Sequence, residues 1–129
     1  MNSPAFLRRV LALDSASCAA LGLLLCLDAA PLSGLFGLGE RLLIGAGLLL
    51  LPLAAFIAWL ASRPSPPTPL VWVVILGNLA WAAESFLLIS TEAGRITALG
   101  TAFVAAQAVA VLGITALEYA GLRRIRAAA

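Results

Sequence analysis

Histidine and lysine are absent from this 129-residue chain, and all eight of its basic residues are arginine. Without histidine there is no bis-imidazole haem ligation, no imidazole metal site and no histidine general base, a Ser-His-Asp triad included. Charge of either sign is scarce, at 11% of residues against about 25% in a soluble domain. The formal net charge of +2 is small and dispersed, which argues against nucleic acid as a partner. Cysteine is equally sparse. Cys18 and Cys26 lie eight residues apart in one apolar run, which on a helix separates them by about 12 Å along the axis and about 80° around it. An intrahelical disulfide needs Cα atoms within about 7 Å, so the two read as small core residues. The lack of an extramembrane cysteine pair also excludes a membrane thiol oxidoreductase.

What fills the chain instead is apolar side chain, 63% of residues, with a mean hydropathy of +1.08. A chain this short has too much surface for its volume to hide that much apolar area from water. A soluble globular fold is excluded, and lipid is the solvent that fits. A span needs roughly 20 mostly apolar residues, and four segments qualify: Val10–Ala30, Leu42–Leu60, Leu70–Ile89 and Ile96–Leu122. Short connections make sequential helices antiparallel neighbours. The expected fold is therefore all-α and integral to a membrane: one domain, 1–129, built as an up-down bundle of four transmembrane helices. The Pro31–Arg41 connection reads equally as a loop or a short interfacial helix. Proline-rich Ala61–Pro69 can continue neither neighbouring helix.

Arginine placement sets the expected orientation. Arg8, Arg9, Arg63, Arg123, Arg124 and Arg126 fall on one side of such a bundle, Arg41 and Arg95 on the other. The positive-inside rule then puts both termini in the cytoplasm of a bacterial cell, with the bundle in its inner membrane. Phe6, Trp59, Trp72 and Tyr119 map to the same side, where aromatic belts form. Arg8 and Arg9 read as the flank of an uncleaved first span, because Asp14 interrupts the apolar run of a signal peptide. Glu40-Arg41 and Glu92 to Arg95 precede the second and fourth spans alike, as ordinary interfacial capping or as the echo of a duplicated hairpin.

Small residues mark where helices approach in lipid. Cys18, Gly22 and Cys26 form one row on the first helix, and Ala98, Ala102, Ala106 and Ala110 another on the last. Pro52 leaves the carbonyl of Leu48 without its usual donor near the middle of the second helix.

Polar groups inside lipid are expensive, about 2.5–3.5 kcal/mol for a central Asp on insertion scales, so each is a candidate for function. Glu84 is the deepest acid, with Trp81 on its face and Asn78, Trp81 and Ser85 on an adjoining stripe. It reads either as a proton- or cation-binding group or as a carboxyl pinned to Asn78, Gln107 or another helix. Gln107, central in the last span, reads as interhelical glue. Glu118, three turns further on the same face, is expected to snorkel and pair with Arg123 and Arg124. Asp14 and Asp28 sit fourteen residues apart, either as two mouths of an ion path or as interfacial acids at each helix end. Arg9, a turn away, is in reach to neutralise Asp14.

Two functions follow as expectations. The first is a small non-catalytic integral membrane protein that self-associates or joins a membrane complex; no nucleophile–base pair or metal set is visible, so neither catalysis nor a cofactor is expected. The second is a small proton- or cation-coupled transporter, with Glu84 as coupling acid and Asn78, Trp81, Gln107 and Asp14 as binding candidates. Expected partners are lipid, a second copy or another membrane protein, and a proton or cationic small molecule.

Overall fold

The computed structural model describes residues 4–128. It is all-helical, in the order α1 (Pro4–Leu27), α2 (Ala29–Phe36), α3 (Glu40–Ser62), α4 (Thr68–Thr91) and α5 (Ala98–Ala128). Four of these helices are long and apolar enough to cross a membrane, and only 22–33% of each apolar stretch is buried by the rest of the chain. The remainder, Leu24, Leu48, Val73, Leu87 and Val109 among it, faces outward. That is the surface a lipid-solvated bundle presents.

The four long helices occur where the hydropathy places them, but α1 runs from Pro4 to Leu27 rather than Val10 to Ala30, and α5 continues past Leu122 to Ala128. The first span is expected from Val10 because two arginines precede it; the helix instead starts at Pro4. Arg8 turns its guanidinium outward and donates from Nε to the carbonyl of Ala61 at 3.0 Å, so the helix accommodates its charge. Asp14 consequently lies ten residues, about 15 Å, into α1 rather than near its start. The connection from Pro31 is helical as far as Phe36, and Ala29 and Ala30, expected to end the first span, belong to this short helix, α2. Gly37 ends it at φ 71°, a left-handed cap that glycine adopts without penalty, and a side chain there would collide with the Arg95 carbonyl. Thr97 fastens α2 to α5: its N–H donates to Phe36 O (2.9 Å) and its hydroxyl to Leu35 O (2.6 Å). The same hydroxyl accepts from Gly100 N and caps α5. Pro52 sits inside α3 without ending it.

The helices run up and down, which brings the described ends of the chain together. Arg124 lies over the ring of Phe6 at 4.3 Å, and Gly121 packs on Leu7. Contact is uneven. α1 packs most extensively on α3 and α4 on α5, α1 and α5 join the two pairs, and α3 and α4 meet least. The α1–α3 contact is close because Gly22 faces Gly47: a methyl at Gly47 would lie 2.7 Å from Cys26 Sγ and from the Gly22 carbonyl. Two apolar cores result. One, around Leu7, Leu11, Leu60, Val71 and Leu122, lies at the end holding the termini; the other, around Leu25, Phe36, Leu43 and Val104, lies at the α2 end. Polar side chains occupy the layer between them.

Candidate functional site

Three helices each send one polar residue into that layer. Asp14 from α1, Asn78 from α4 and Glu118 from α5 are 3%, 9% and 0% exposed. Asn78 uses both hydrogens of its Nδ2, donating to Asp14 Oδ2 at 2.9 Å and to Glu118 Oε1 at 3.1 Å. Cys18, one turn along from Asp14, donates its S–H to Asp14 Oδ1 at 3.6 Å. Glu118 Oε2 is buried and finds no hydrogen-bond partner among the described residues. An amide is the right bridge here, since a carboxylate only accepts and an Asn NH2 has two donors in one plane. The bridge does not balance charge. Two carboxyls on one neutral amide require a positive partner, a proton or a cation, because like charges in a low-dielectric interior repel strongly.

The expected pairing of Glu118 with Arg123 and Arg124 is not what the structure contains. Glu118 points into the bundle to Asn78, while Arg123 lies over Tyr119 at 5.8 Å and Arg124 over Phe6. The reason is helical phase: Arg123 and Arg124 follow Glu118 by five and six residues, about 140° and 240° around the axis, so they leave the bundle on exposed faces while Glu118 points inward. Nor does Arg9 neutralise Asp14. Among the described residues the one ion pair joins Arg95 to Glu92 at 3.7 Å.

A second network lies toward the α2 end. Trp81 Nε1 donates to Gln107 Oε1 at 2.8 Å, which fixes the amide orientation because an indole N–H can only donate. Gln107 Nε2 then donates to Ser85 Oγ (2.9 Å) and to Val104 O (2.8 Å), and Ser85 donates to Trp81 O (2.8 Å). Here Gln107 ties α4 to α5, and both its polar atoms are satisfied.

Two cavities flank this second network. The inner one, about 420 Å³, is lined by all four long helices and reaches Asp14, Cys18 and Asn78. Ser17 and Gln107 also border it, and the rest of its walls are apolar, with Phe56, Trp81 and Phe103 as aromatic members. The outer one, about 580 Å³, reaches Arg41 and Glu84. Leu21, Leu49, Trp81, Phe103 and Gln107 border both, so the Trp81–Gln107 pair stands between them. Leu49 and Leu53 of α3 and Val73 and Gly77 of α4 line the inner cavity and are exposed, against Ser17 of α1 and Ala110 of α5 alone on the other helices, so most of its exposed lining lies along the loose α3–α4 seam.

The five candidates thus separate. Asp14 and Asn78 share one network, Trp81 and Gln107 share the other, and Glu84 belongs to neither, standing exposed where it borders the outer cavity. Asp28 is exposed at the start of α2, away from the Asp14 network. Glu118 is the member that sequence reasoning assigned elsewhere. Its signal was the eleven-residue spacing from Gln107, almost three full turns, which puts both on one face of α5 toward the polar stripe of α4. Among the described residues no three His, Cys, Asp or Glu side chains converge to hold a metal ion. No protein-family model matches the chain, and no curated protein and no solved structure is significantly similar to it.

Proposed function

We propose that the chain is a small, non-catalytic, multi-pass protein of a bacterial inner membrane, with both termini cytoplasmic, that works by packing against a second copy of itself or another membrane protein. The observation that carries this reading is the outer face of α5. Ala98, Ala102, Ala106 and Gly113 are all exposed on it, while Ala110 at its edge borders the inner cavity, and a Cβ added at Gly113 meets nothing within 4 Å. In lipid, helices associate where small residues let backbones approach. The chain uses such a contact internally at Gly22 and Gly47 and leaves this second one unpartnered. Outward-facing apolar side chains on every long helix support the membrane placement, and the excess of arginine at the terminal end of the bundle supports the orientation. Native mass measurement in a mild detergent tests the proposal. A dimer or larger species is expected, with Ala106→Trp shifting it to monomer; a lone monomer of the parent chain overturns self-association.

A second reading, a proton- or cation-coupled transporter with Glu84 as its coupling acid, is favoured by the paired cavities. Glu84 borders one and Asp14 the other, with the Trp81–Gln107 pair between them. Together these groups line an interrupted polar route through an otherwise apolar bundle.

A further inference from the structure

We propose that the inner cavity is a binding site for a hydrophobic organic cation, with Asp14 as its counter-charge and Phe56, Trp81 and Phe103 as its aromatic walls. Four observations converge on that class of ligand. The volume, about 420 Å³, falls within the range of roughly 300–1,000 Å³ typical of small-molecule sites. The lining is apolar apart from a few polar groups, which selects a greasy body with one polar feature. The charge of that feature is fixed by the residues around it. Among the described residues Asp14 is the only Asp, Glu or Arg of the lining, and no arginine pairs with it. Behind it, across the Asn78 amide, stands Glu118 with an unpartnered buried oxygen, so the wall carries two carboxyls and no base. Aromatic rings complete the match, because a cation gains from their faces where an anion or a neutral chain does not.

A lipid acyl chain is the competing occupant, since most of the exposed lining lies on an apolar seam. It would fill the volume without engaging Asp14 and leave protons alone to relieve the acid pair, whereas an anion would add to the repulsion. The seam between α3 and α4 also suits a ligand that arrives dissolved in lipid. It enters sideways, past Leu53 and Val73, without crossing either apolar core. The proposal shares the membrane placement of both readings above but does not depend on Glu84.

Tetraphenylphosphonium and tetraphenylborate have nearly the same size and shape and opposite charge, which makes them the probes. Equilibrium dialysis against the full chain in detergent, corrected for empty micelles, is expected to give saturable binding of the phosphonium and none of the borate. Asp14→Asn is expected to weaken phosphonium binding by about tenfold or more. Because that variant disturbs the Asn78 bridge, Gly77→Leu provides a second route. Gly77 lines the cavity and a Cβ there meets nothing within 4 Å, so the larger side chain intrudes on the ligand's space and leaves the acids alone. Loss of binding in this variant, with the helical circular dichroism of the parent, supports the site. Equal binding of the two ions, or parental phosphonium affinity in either variant, overturns it. Proton release on adding the phosphonium, abolished by Glu84→Gln, would belong to the transporter reading. Saturable phosphonium binding without such release sinks that reading and leaves this one standing.

Discussion

Asn78 is the side chain on which the buried polar layer turns. An interhelical hydrogen bond in lipid contributes modestly, about 0.6 kcal/mol on average, because the separated helices find other partners. Asn78 differs in making two, both to carboxyls, and in leaving neither carboxyl another amide donor among the described residues. Removing it strands buried acceptors, which costs about 1–3 kcal/mol and more for charged groups. Asn78→Ala is therefore expected to lose at least about 1–3 kcal/mol in reversible detergent unfolding. Ser17→Ala, which removes an exposed hydroxyl bonded only to Leu13 O of its own helix, should stay within about 0.5 kcal/mol of the parent. At this scale the sequence was legible as composition but not as pairing. That Asp14, Asn78, Trp81 and Gln107 needed partners followed from their cost in lipid. Which partners they took depended on the register between helices, which no local pattern encodes. Glu118 illustrates the limit: its nearest charges along the chain were arginines, and its partner lay forty residues away.

Among the helices, α1 and α3 show how a single position controls an interface. Gly47 leaves no room for a methyl against Cys26 and the Gly22 backbone, and backbone atoms cannot give way as a flexible side chain can. Gly45, two residues earlier on the same helix, has open space around its Cβ position. Gly47→Ala is expected to destabilise by about 1–3 kcal/mol through overpacking. Gly45→Ala should be neutral or stabilising by up to about 1 kcal/mol, since alanine is the better helix former. Thermal midpoints of the two variants in one detergent measure the contrast, and equal effects would mean the α1–α3 contact is looser than described. The existence of the four long helices was legible because hydropathy over twenty residues is a local property. Their ends were not: arginines at Arg8 and Arg9 look like boundaries, yet a long side chain can extend past the end of an apolar layer while its backbone remains helical. The short α2 was undecidable for a different reason, because Thr97, sixty residues further on, holds its end in place.

For the whole molecule, unevenness of packing matters more than any single contact. Residues up to Ser62 form one tightly packed unit of α1, α2 and α3, and residues from Thr68 onward form another of α4 and α5. They meet mainly through α1 and α5, and the acid on one side is matched by the amide and acid on the other. The proline-rich turn between α3 and α4 joins two units whose helices barely touch beside it. It therefore acts as a tether, raising the effective concentration of one half near the other without shaping how they fit. A chain severed between Ser65 and Pro66 and made as two co-expressed pieces should still assemble one to one, at a lower melting temperature than the intact protein. Failure of the pieces to co-purify would mean the turn carries structure rather than mere proximity. On this view the molecule is a complex of two partners that happen to be translated in sequence.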